Sequence, residues 1–183
     1  VYDTAFCAEI TTVEEATEII GRIQNGGKLP VFTSCCPAWV KYAEQYEHDM
    51  LDNLSSCKSP QEMGAAVIRK VLPQTSFPNV EQKNLVVVSV MPCTAKKFEI
   101  EREEFSHDGI KDINFCMTTI ELGAMIREAG IETLDDIAEV ACDDPFGLEP
   151  GSGVIFGVTG GVTEAVLRYA AEKLSGKKTG DLK

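Results

Sequence analysis

Apolar residues recur along this chain at two spacings, and the spacings predict helices alternating with strands. Four apolar residues three or four positions apart mark one face of the first predicted helix: Ala16, Ile19, Ile20 and Ile23. Thr12 and Glu15 have the spacing of a capping box, so we expect this helix to begin at Thr12. Gly26 follows the last apolar position and predicts where the helix ends.

Three further helix starts are marked by residues with a known preference for the first turn. Pro37 suits the first position of a helix because its missing N–H is not needed there. Ser59 to Glu62 and Thr118 to Glu121 each have the pattern of a capping box before an apolar run. We expect the last of these helices to end at Gly130.

Short apolar runs between these helices predict strands. The runs are Leu29 to Phe32, Asn84 to Val90 and Val154 to Phe156. The second run is continuous and rich in valine, which is typical of a parallel strand buried on both faces. The alternation predicts an α/β fold with a mostly parallel sheet flanked by helices, in which ligands lie beyond the carboxyl ends of the strands.

Composition and charge limit the classes of function. The chain has 183 residues, of which 44% are hydrophobic and 25% charged, and nothing in this composition divides 1–183 into more than one domain. Its 17 basic and 29 acidic residues give a net charge of −12, which argues against nucleic-acid and membrane partners. Seven cysteines are an odd number and favour metal or thiol chemistry in a reducing, cytoplasmic compartment.

Two cysteine motifs stand where a predicted strand gives way to a helix. The first reads T-S-C-C-P-A-W from Thr33, and the second reads M-P-C-T-A-K-K-F-E from Met91. Soft thiolates suit iron–sulfur clusters, and two such turns of one sheet can meet at one site, so Cys36 and Cys93 are candidate iron ligands. The alternative is that they are inert cysteines that pack as small hydrophobic residues. Cys35 could equally be a bridging or structural cysteine.

Ionisable residues form a second pattern, on the first predicted helix. Glu15, Glu18 and Arg22 lie within an arc of roughly 60° on that helix. A solvated edge with a local salt bridge is the ordinary explanation of such a pattern. Lys96 is a cation near a helix start, where the macrodipole disfavours it unless an anion is close, and the alternative is a surface lysine.

Both cysteine motifs resemble those that bind the catalytic cluster of iron-only (FeFe) hydrogenases, and F-G-V-T-G-G-V from Phe156 resembles a third segment of that family. The resemblance covers nearly the whole chain. It implies a catalytic domain that reversibly reduces protons to dihydrogen at an H-cluster, which consists of a 4Fe-4S cubane and a di-iron subsite. It also implies ferredoxin or a similar electron carrier as partner.

The resemblance assigns roles to individual residues. Cys36 and Cys93 would hold the cubane, and Cys35 would keep a free thiol that moves protons. The implied proton path runs through Cys35, Glu15, Ser55, Glu18 and Arg22. Lys96 would hydrogen-bond a cyanide ligand of the di-iron subsite. The remaining residues implied to surround that subsite are Met91, Pro92, Phe156 and Gly157.

One family motif is missing from the chain. The C-P-G-G-C segment that supplies the other two cubane ligands does not occur in the sequence. We therefore expect a partial catalytic domain that is inactive by itself, holds no complete H-cluster and self-associates through an exposed apolar surface.

Two other functions are compatible with the same sequence. One is an iron–sulfur assembly or sensory relative of the hydrogenases, without hydrogen turnover. The assembly branch generally lacks the free cysteine, so the presence of Cys35 with Glu15, Glu18 and Ser55 favours catalysis. The other is an α/β domain that binds no metal, which an iron assay would distinguish.

Overall fold

A computed structural model describes residues 1–76, 78–135, 137–143 and 152–177, which form two compact units. The helical unit comprises residues 3–64 and 152–177. The strand unit comprises residues 1–2 and the described residues from 65 to 143. None of the described helices is long and apolar enough to cross a membrane.

The described α-helices are α1 (Thr4–Asn25), α2 (Pro37–Tyr46), α3 (Pro60–Lys70), α4 (Leu72–Thr75), α5 (Ala95–Glu99), α6 (Thr119–Glu128) and α7 (Gly161–Ser175). The described strands are β1 (Val88–Met91), β2 (Ser106–His107), β3 (Ile110–Lys111) and β4 (Phe115–Thr118). Short 3₁₀ turns cover His48–Asn53, Gln82–Asn84, Glu103–Phe105 and Ser152–Gly157.

The helical unit is built around α1, which packs against α7. Ala16, Val166 and Ala170 form its buried core. The predicted start at Thr12 is wrong, because Asp3 is the N-cap and its carboxylate accepts the Ala5 N–H at 2.8 Å. Thr12 lies inside the helix, where its hydroxyl donates to the backbone of the preceding turn. The predicted end is confirmed, since Gly26 adopts the left-handed conformation at φ 71°.

Two predicted strands of the helical unit are not formed. Within Leu29 to Phe32, only Phe32 pairs, through a single parallel bridge to Leu54. Pro30 has no N–H to donate, which limits strand pairing in so short a run. Val154 to Phe156 lies in the 3₁₀ turn instead of a strand, and its glycine neighbours favour a turn over a ladder. The predicted start of α2 at Pro37 is confirmed.

The strand unit contains a small parallel sheet in which β1 pairs with β4. The register sets Val88 opposite Phe115 and Met91 opposite Thr118. Exposed and buried residues alternate along β1, so the predicted burial on both faces is wrong. Val88 and Phe115 lie side by side on the exposed face, at 48% and 62% exposure.

Behind the sheet, a small core joins α3 to the strands. Its buried members are Ala65, Val87, Ile100 and Ile113. The capping box predicted in this unit is confirmed: the Thr118 hydroxyl accepts the Glu121 N–H, and the Glu121 carboxylate accepts the Thr118 N–H at 2.7 Å. β2 and β3 form a separate antiparallel pair. The α/β fold class is confirmed, with a smaller sheet than the sequence predicts.

Candidate functional site

The ionisable residues of α1 are removed from solvent in the helical unit. Glu15 is 1% exposed, and the side chains of Glu18 and Arg22 are 16% and 18% exposed. The explanation of these residues as a solvated edge is therefore wrong. Charged side chains that are buried to this extent need specific partners, which the loop at Leu54 to Cys57 supplies for Glu18 and Arg22.

Glu18 is surrounded by donors on both of its oxygens. Oε1 accepts from Arg22 Nη2 at 2.5 Å. Oε2 accepts from the Ser55 hydroxyl at 2.9 Å and from the Ser56 N–H at 3.0 Å. Burial alone would raise the pKa of Glu18, but these hydrogen bonds and the arginine charge outweigh it and hold the pKa below its usual range. Glu18 is therefore the ionised carboxylate of the site.

Glu15 has the opposite environment one turn earlier on the same helix. Burial raises its pKa, a hydrogen bond with Ser55 acts in the other direction, and the negative charge of Glu18 raises the pKa further. Its Oε2 atom is buried and has no hydrogen-bond partner among the described residues. Glu15 and Glu18 thus form a pair of carboxyl groups, joined through one hydroxyl, whose pKa values are pushed apart.

Glu15, Ser55, Glu18 and Arg22 form a row of side chains linked by hydrogen bonds, and Arg22 lies at its far end. Besides Glu18, its guanidinium donates to three backbone carbonyls: Asp52 at 2.9 Å, Leu54 at 2.8 Å and Lys28 at 3.3 Å. A guanidinium keeps its protons at all ordinary pH values. Its part in the row is therefore to hold Glu18 and the loop in place. The structure brings together Glu15, Ser55, Glu18 and Arg22, and the connection from Cys35 to Glu15 stays a prediction.

The first cysteine motif forms the turn that leads into α2. Cys35 is half-buried, and Cys36 is the exposed N-cap residue directly before Pro37. Next to Cys36 is an open cavity of about 510 Å³ within the helical unit. The residues that line it are mostly apolar: Ile19, Leu29, Val31, Phe32, Thr33, Cys36, Trp39, Thr163, Val166 and Leu167.

The second cysteine motif lies in the strand unit. β1 ends at Met91, which is buried, and Pro92 and Cys93 follow it as exposed residues. Lys96 is not a surface lysine: its ammonium pairs with Glu99 at 2.8 Å, and the two side chains are 12% and 5% exposed. The predicted meeting of Cys36 and Cys93 at one site stays a prediction.

Phe156 and Gly157 lie in the 3₁₀ turn that precedes α7. Phe156 is half-buried and Gly157 is exposed. The glycines after them are required by the backbone. Gly160 has φ 78°, and a Cβ on Gly161 would lie 1.8 Å from the carbonyl oxygen of Ile155.

The sequence analysis missed one residue of the site, Cys57. Its thiol lies 3.6 Å from Glu18 Oε2, and burial, the dominant cause, raises its pKa to about 12. No motif marks this position, and its only signal is that it follows Ser55 by two residues. The preceding stretch is polar and predicts nothing more than a loop.

The donor chemistry of the two cysteine motifs fits an iron–sulfur cluster that is shared with other ligands. None of the seven cysteines forms a disulfide, and those at 36 and 93 are exposed at turns, where a metal can reach their sulfur atoms. Among the described residues, no three His, Cys, Asp or Glu side chains are grouped to hold a metal ion. A four-thiolate cluster therefore needs ligands beyond each motif.

Comparisons with known proteins agree with the cysteine motifs. The model of the family described as "Iron only hydrogenase large subunit, C-terminal domain" matches residues 1–183. Iron hydrogenase 1 of Clostridium pasteurianum is 45% identical over 172 residues, which are 94% of this chain and 29% of that protein. The apo form of a variant FeFe hydrogenase from Chlamydomonas reinhardtii matches in structure with a TM-score of 0.86 at 40% identity, covering all of this chain and 46% of that one.

A second group of relatives has another role. A probable cytosolic Fe-S cluster assembly factor of Aedes aegypti is 30% identical over 182 residues, which cover 95% of this chain and 38% of that protein. The chain thus spans less than half the length of these relatives. The family match extends over the whole sequence and includes both cysteine motifs. The chain belongs to the iron-only hydrogenase family and corresponds to the C-terminal domain of its large subunit.

Proposed function

We propose that this chain is part of an iron-only hydrogenase that reversibly reduces protons to dihydrogen at an H-cluster. The observation that carries the proposal is the row of Glu15, Ser55, Glu18 and Arg22, which is buried and hydrogen-bonded in the helical unit. A protein that only stores or senses a cluster has no need of two desolvated carboxyl groups whose pKa values are shifted in opposite directions. A proton-consuming reaction needs such a row, because protons must reach a buried centre.

Cys36 and Cys93 are the ligands we propose for the 4Fe-4S cubane, since each offers an exposed thiol at a turn. When bound, the H-cluster supplies the redox chemistry between protons, electrons and dihydrogen. The chain would line its di-iron subsite with Met91, Pro92, Phe156 and Gly157. Lys96 would direct one donor of its ammonium to an anionic ligand there, while Glu99 pairs with the same ammonium at 2.8 Å and holds it in place.

The proton step follows from the two pKa shifts. Burial raises the pKa of Glu15 and the surrounding donors lower the pKa of Glu18, so Glu15 keeps its proton to higher pH than Glu18 does. Ser55 lies between them, so its oxygen can take the proton of Glu15 while its own proton passes to Glu18 Oε2 over 2.9 Å. We propose that Cys35 exchanges protons with Glu15 on the cluster side. Arg22 keeps its protons, and its charge favours release of the Glu18 proton to solvent. When protons are reduced, the same transfers run in the opposite direction, from solvent through Glu18 and Ser55 to Glu15.

The partner and compartment are part of the same proposal. The relatives include an NADP-reducing hydrogenase subunit of Solidesulfovibrio fructosivorans and a periplasmic Fe hydrogenase large subunit of Nitratidesulfovibrio vulgaris. Electrons must come from a soluble carrier, and we propose ferredoxin or a similar protein. Seven cysteines without a disulfide favour the cytoplasm. With only two of the four cubane cysteines in its motifs, we propose that this chain alone turns over no dihydrogen.

An iron–sulfur assembly relative is the second candidate, because assembly factors match over 95% of the chain. The identity values favour the hydrogenases, at 41–45% against 30%. The buried row on α1 also favours them, since building or holding a cluster requires no proton path.

Substitution of the row in the full-length enzyme tests the proposal. We expect Glu15→Gln and Cys35→Ser to lower turnover by about 100-fold or more, because each removes a group that passes protons. The matched control is Glu14→Gln, which changes the exposed neighbouring glutamate. Iron content and the electron paramagnetic resonance spectrum of the cluster should not change. Turnover that is unaltered in both variants would contradict the proposal.

A further inference from the structure

Cys57 contacts the proton row but has no role in the proposal above. Its side chain is half-buried in the helical unit, and its Sγ lies 3.6 Å from Glu18 Oε2. Hydrogen bonds from sulfur are long and weak, and this distance is in their range. Glu18 Oε2 is thus contacted by Cys57 as well as by Ser55 and the Ser56 N–H.

The backbone of Cys57 is tied to the same site on both sides. Its N–H donates to the Ser55 oxygen at 3.2 Å, and its carbonyl accepts from the Ser34 hydroxyl at 3.0 Å. The first bond occupies a lone pair of Ser55 and so directs the Ser55 proton toward Glu18. The second bond joins residue 57 to the residue before Cys35. One residue therefore links the cysteine turn to the Ser55–Glu18 pair.

The thiol keeps its proton under all working conditions. Burial raises the pKa of Cys57 to about 12, the hydrogen bond with Ser55 opposes this increase, and the charge of Glu18 adds to it. A thiol in this state is neither a nucleophile nor a metal ligand. Its S–H can donate, and the acceptor in reach is the Glu18 carboxylate, which is paired with Arg22.

We propose that Cys57 is a positioning residue of the proton path: its thiol and backbone N–H fix the relative orientation of Ser55 and Glu18. The effect on turnover rests on the proposed function. The hydrogen bond itself does not, and it can be measured in this chain without any metal. A cysteine suits the position because its thiol donates to Glu18 and keeps its own proton, a part that a serine hydroxyl can also play.

Infrared spectroscopy of the S–H stretch in this chain tests the hydrogen bond. The difference between unaltered protein and Cys57→Ala isolates the Cys57 band, which we expect at the low frequency of a bonded thiol. In Glu18→Gln, the same band should move to higher frequency. Cys7→Ala is the control, since it removes another buried thiol of the helical unit whose contact is Asp3. A Cys57 band at the frequency of a free thiol, unchanged by Glu18→Gln, would overturn the proposal.

NMR of ¹³C-labelled glutamate follows the titration of Glu18 and tests whether the Cys57 thiol lowers the pKa of Glu18. Cys57→Ala removes a donor to the ionised form, so we expect the Glu18 pKa to rise by about half a unit to one unit. Cys57→Ser keeps a donor and should leave the titration within about 0.2 units of the unaltered protein. Equal titration of Glu18 in the alanine and serine variants would contradict the proposal, even if both are less stable.

The full-length enzyme separates this inference from the proposed function. We expect turnover of Cys57→Ala to fall about threefold to tenfold, following the shift in the Glu18 pKa, and that of Cys57→Ser to stay near normal. If Glu15→Gln abolishes turnover and Cys57→Ala has no effect, only the role of Cys57 is wrong. If Glu15→Gln has no effect, the proton row itself is wrong.

Discussion

Both units of this protein bury ionisable side chains, and two of these, Arg69 and Glu15, are bonded in different ways. Arg69, in the strand unit, is 2% exposed and donates to the carbonyls of Gln82, Leu85 and Asp112 and to the Asn114 side chain, at 2.6 to 3.1 Å. Glu15, in the helical unit, is 1% exposed and leaves its Oε2 without a partner among the described residues.

The difference separates structural burial from functional burial. A buried cation whose donors are directed at acceptors holds loops together, and its charge takes no part in binding or proton transfer. A buried carboxyl group with an open oxygen costs stability, and such groups are concentrated where protons or ligands move. The burial of an ionisable side chain is therefore not evidence of function by itself. A buried polar atom that lacks a hydrogen-bond partner is the stronger indication of a functional site.

We expect the largest loss of stability from substitution of Arg69, the buried side chain with a structural role. Arg69→Met would leave several buried acceptors without donors, and it should lower the free energy of unfolding by about 3–5 kcal/mol. Urea unfolding followed by circular dichroism measures this change. Lys70→Met is the matched control, because Lys70 is the exposed neighbour on α3. Losses that differ by less than about 1 kcal/mol between the two variants would contradict the structural role of Arg69.

Removal of the Glu18 charge should give an intermediate effect that depends on pH. The folded pKa of Glu18 is lowered, so its stabilisation is present above the unfolded pKa and is lost as the pH falls through the folded pKa. We expect Glu18→Gln to cost about 1–3 kcal/mol at neutral pH, and the cost should shrink in acid. Thermal or urea unfolding at several pH values measures it. A cost that is the same at all pH values would contradict the assignment of Glu18 as ionised.

The smallest effect has the opposite sign and belongs to Glu15. Its folded pKa is raised, so its favourable contribution is present below the unfolded pKa and is lost as the pH rises through the folded pKa. Glu15→Gln is neutral at every pH, so above that range the variant should be more stable than the unaltered protein by about 1 kcal/mol. The same unfolding series measures it. A loss of stability that grows with pH would contradict the raised pKa.

Sequence alone could predict the elements whose signals are local. The caps at Pro37 and Thr118 and the stop at Gly26 depend on a few neighbouring residues, and the structure confirms them. Thr12 has the same local pattern, but an alternative cap at Asp3 extends the helix past it. The strand predicted from Leu29 is reduced to one bridge, because pairing depends on a partner segment that the sequence pattern does not reveal.

The candidate site likewise has features that local sequence predicts and features that depend on tertiary contacts. The stripe of Glu15, Glu18 and Arg22 follows from helical spacing, whereas their burial does not, because it depends on α7 and on the loop around Ser55. Cys57 reaches Ser34 and Glu18 through tertiary contacts, with these partners 23 and 39 residues away in sequence. Spacing patterns therefore predict which residues share a helix face, and the structure is needed to establish which of them are desolvated.

The protonation of the two glutamates in this chain tests the central claim most directly. In protein labelled with ¹³C at glutamate side chains, the Glu15 and Glu18 signals can be assigned with Glu15→Gln and Glu18→Gln and followed through a pH titration. We predict that Glu18 titrates below the ordinary range of a glutamate and Glu15 above it, so that one is ionised while the other still holds its proton. Titration of both groups together, at the value of an exposed glutamate, would contradict a proton row on α1.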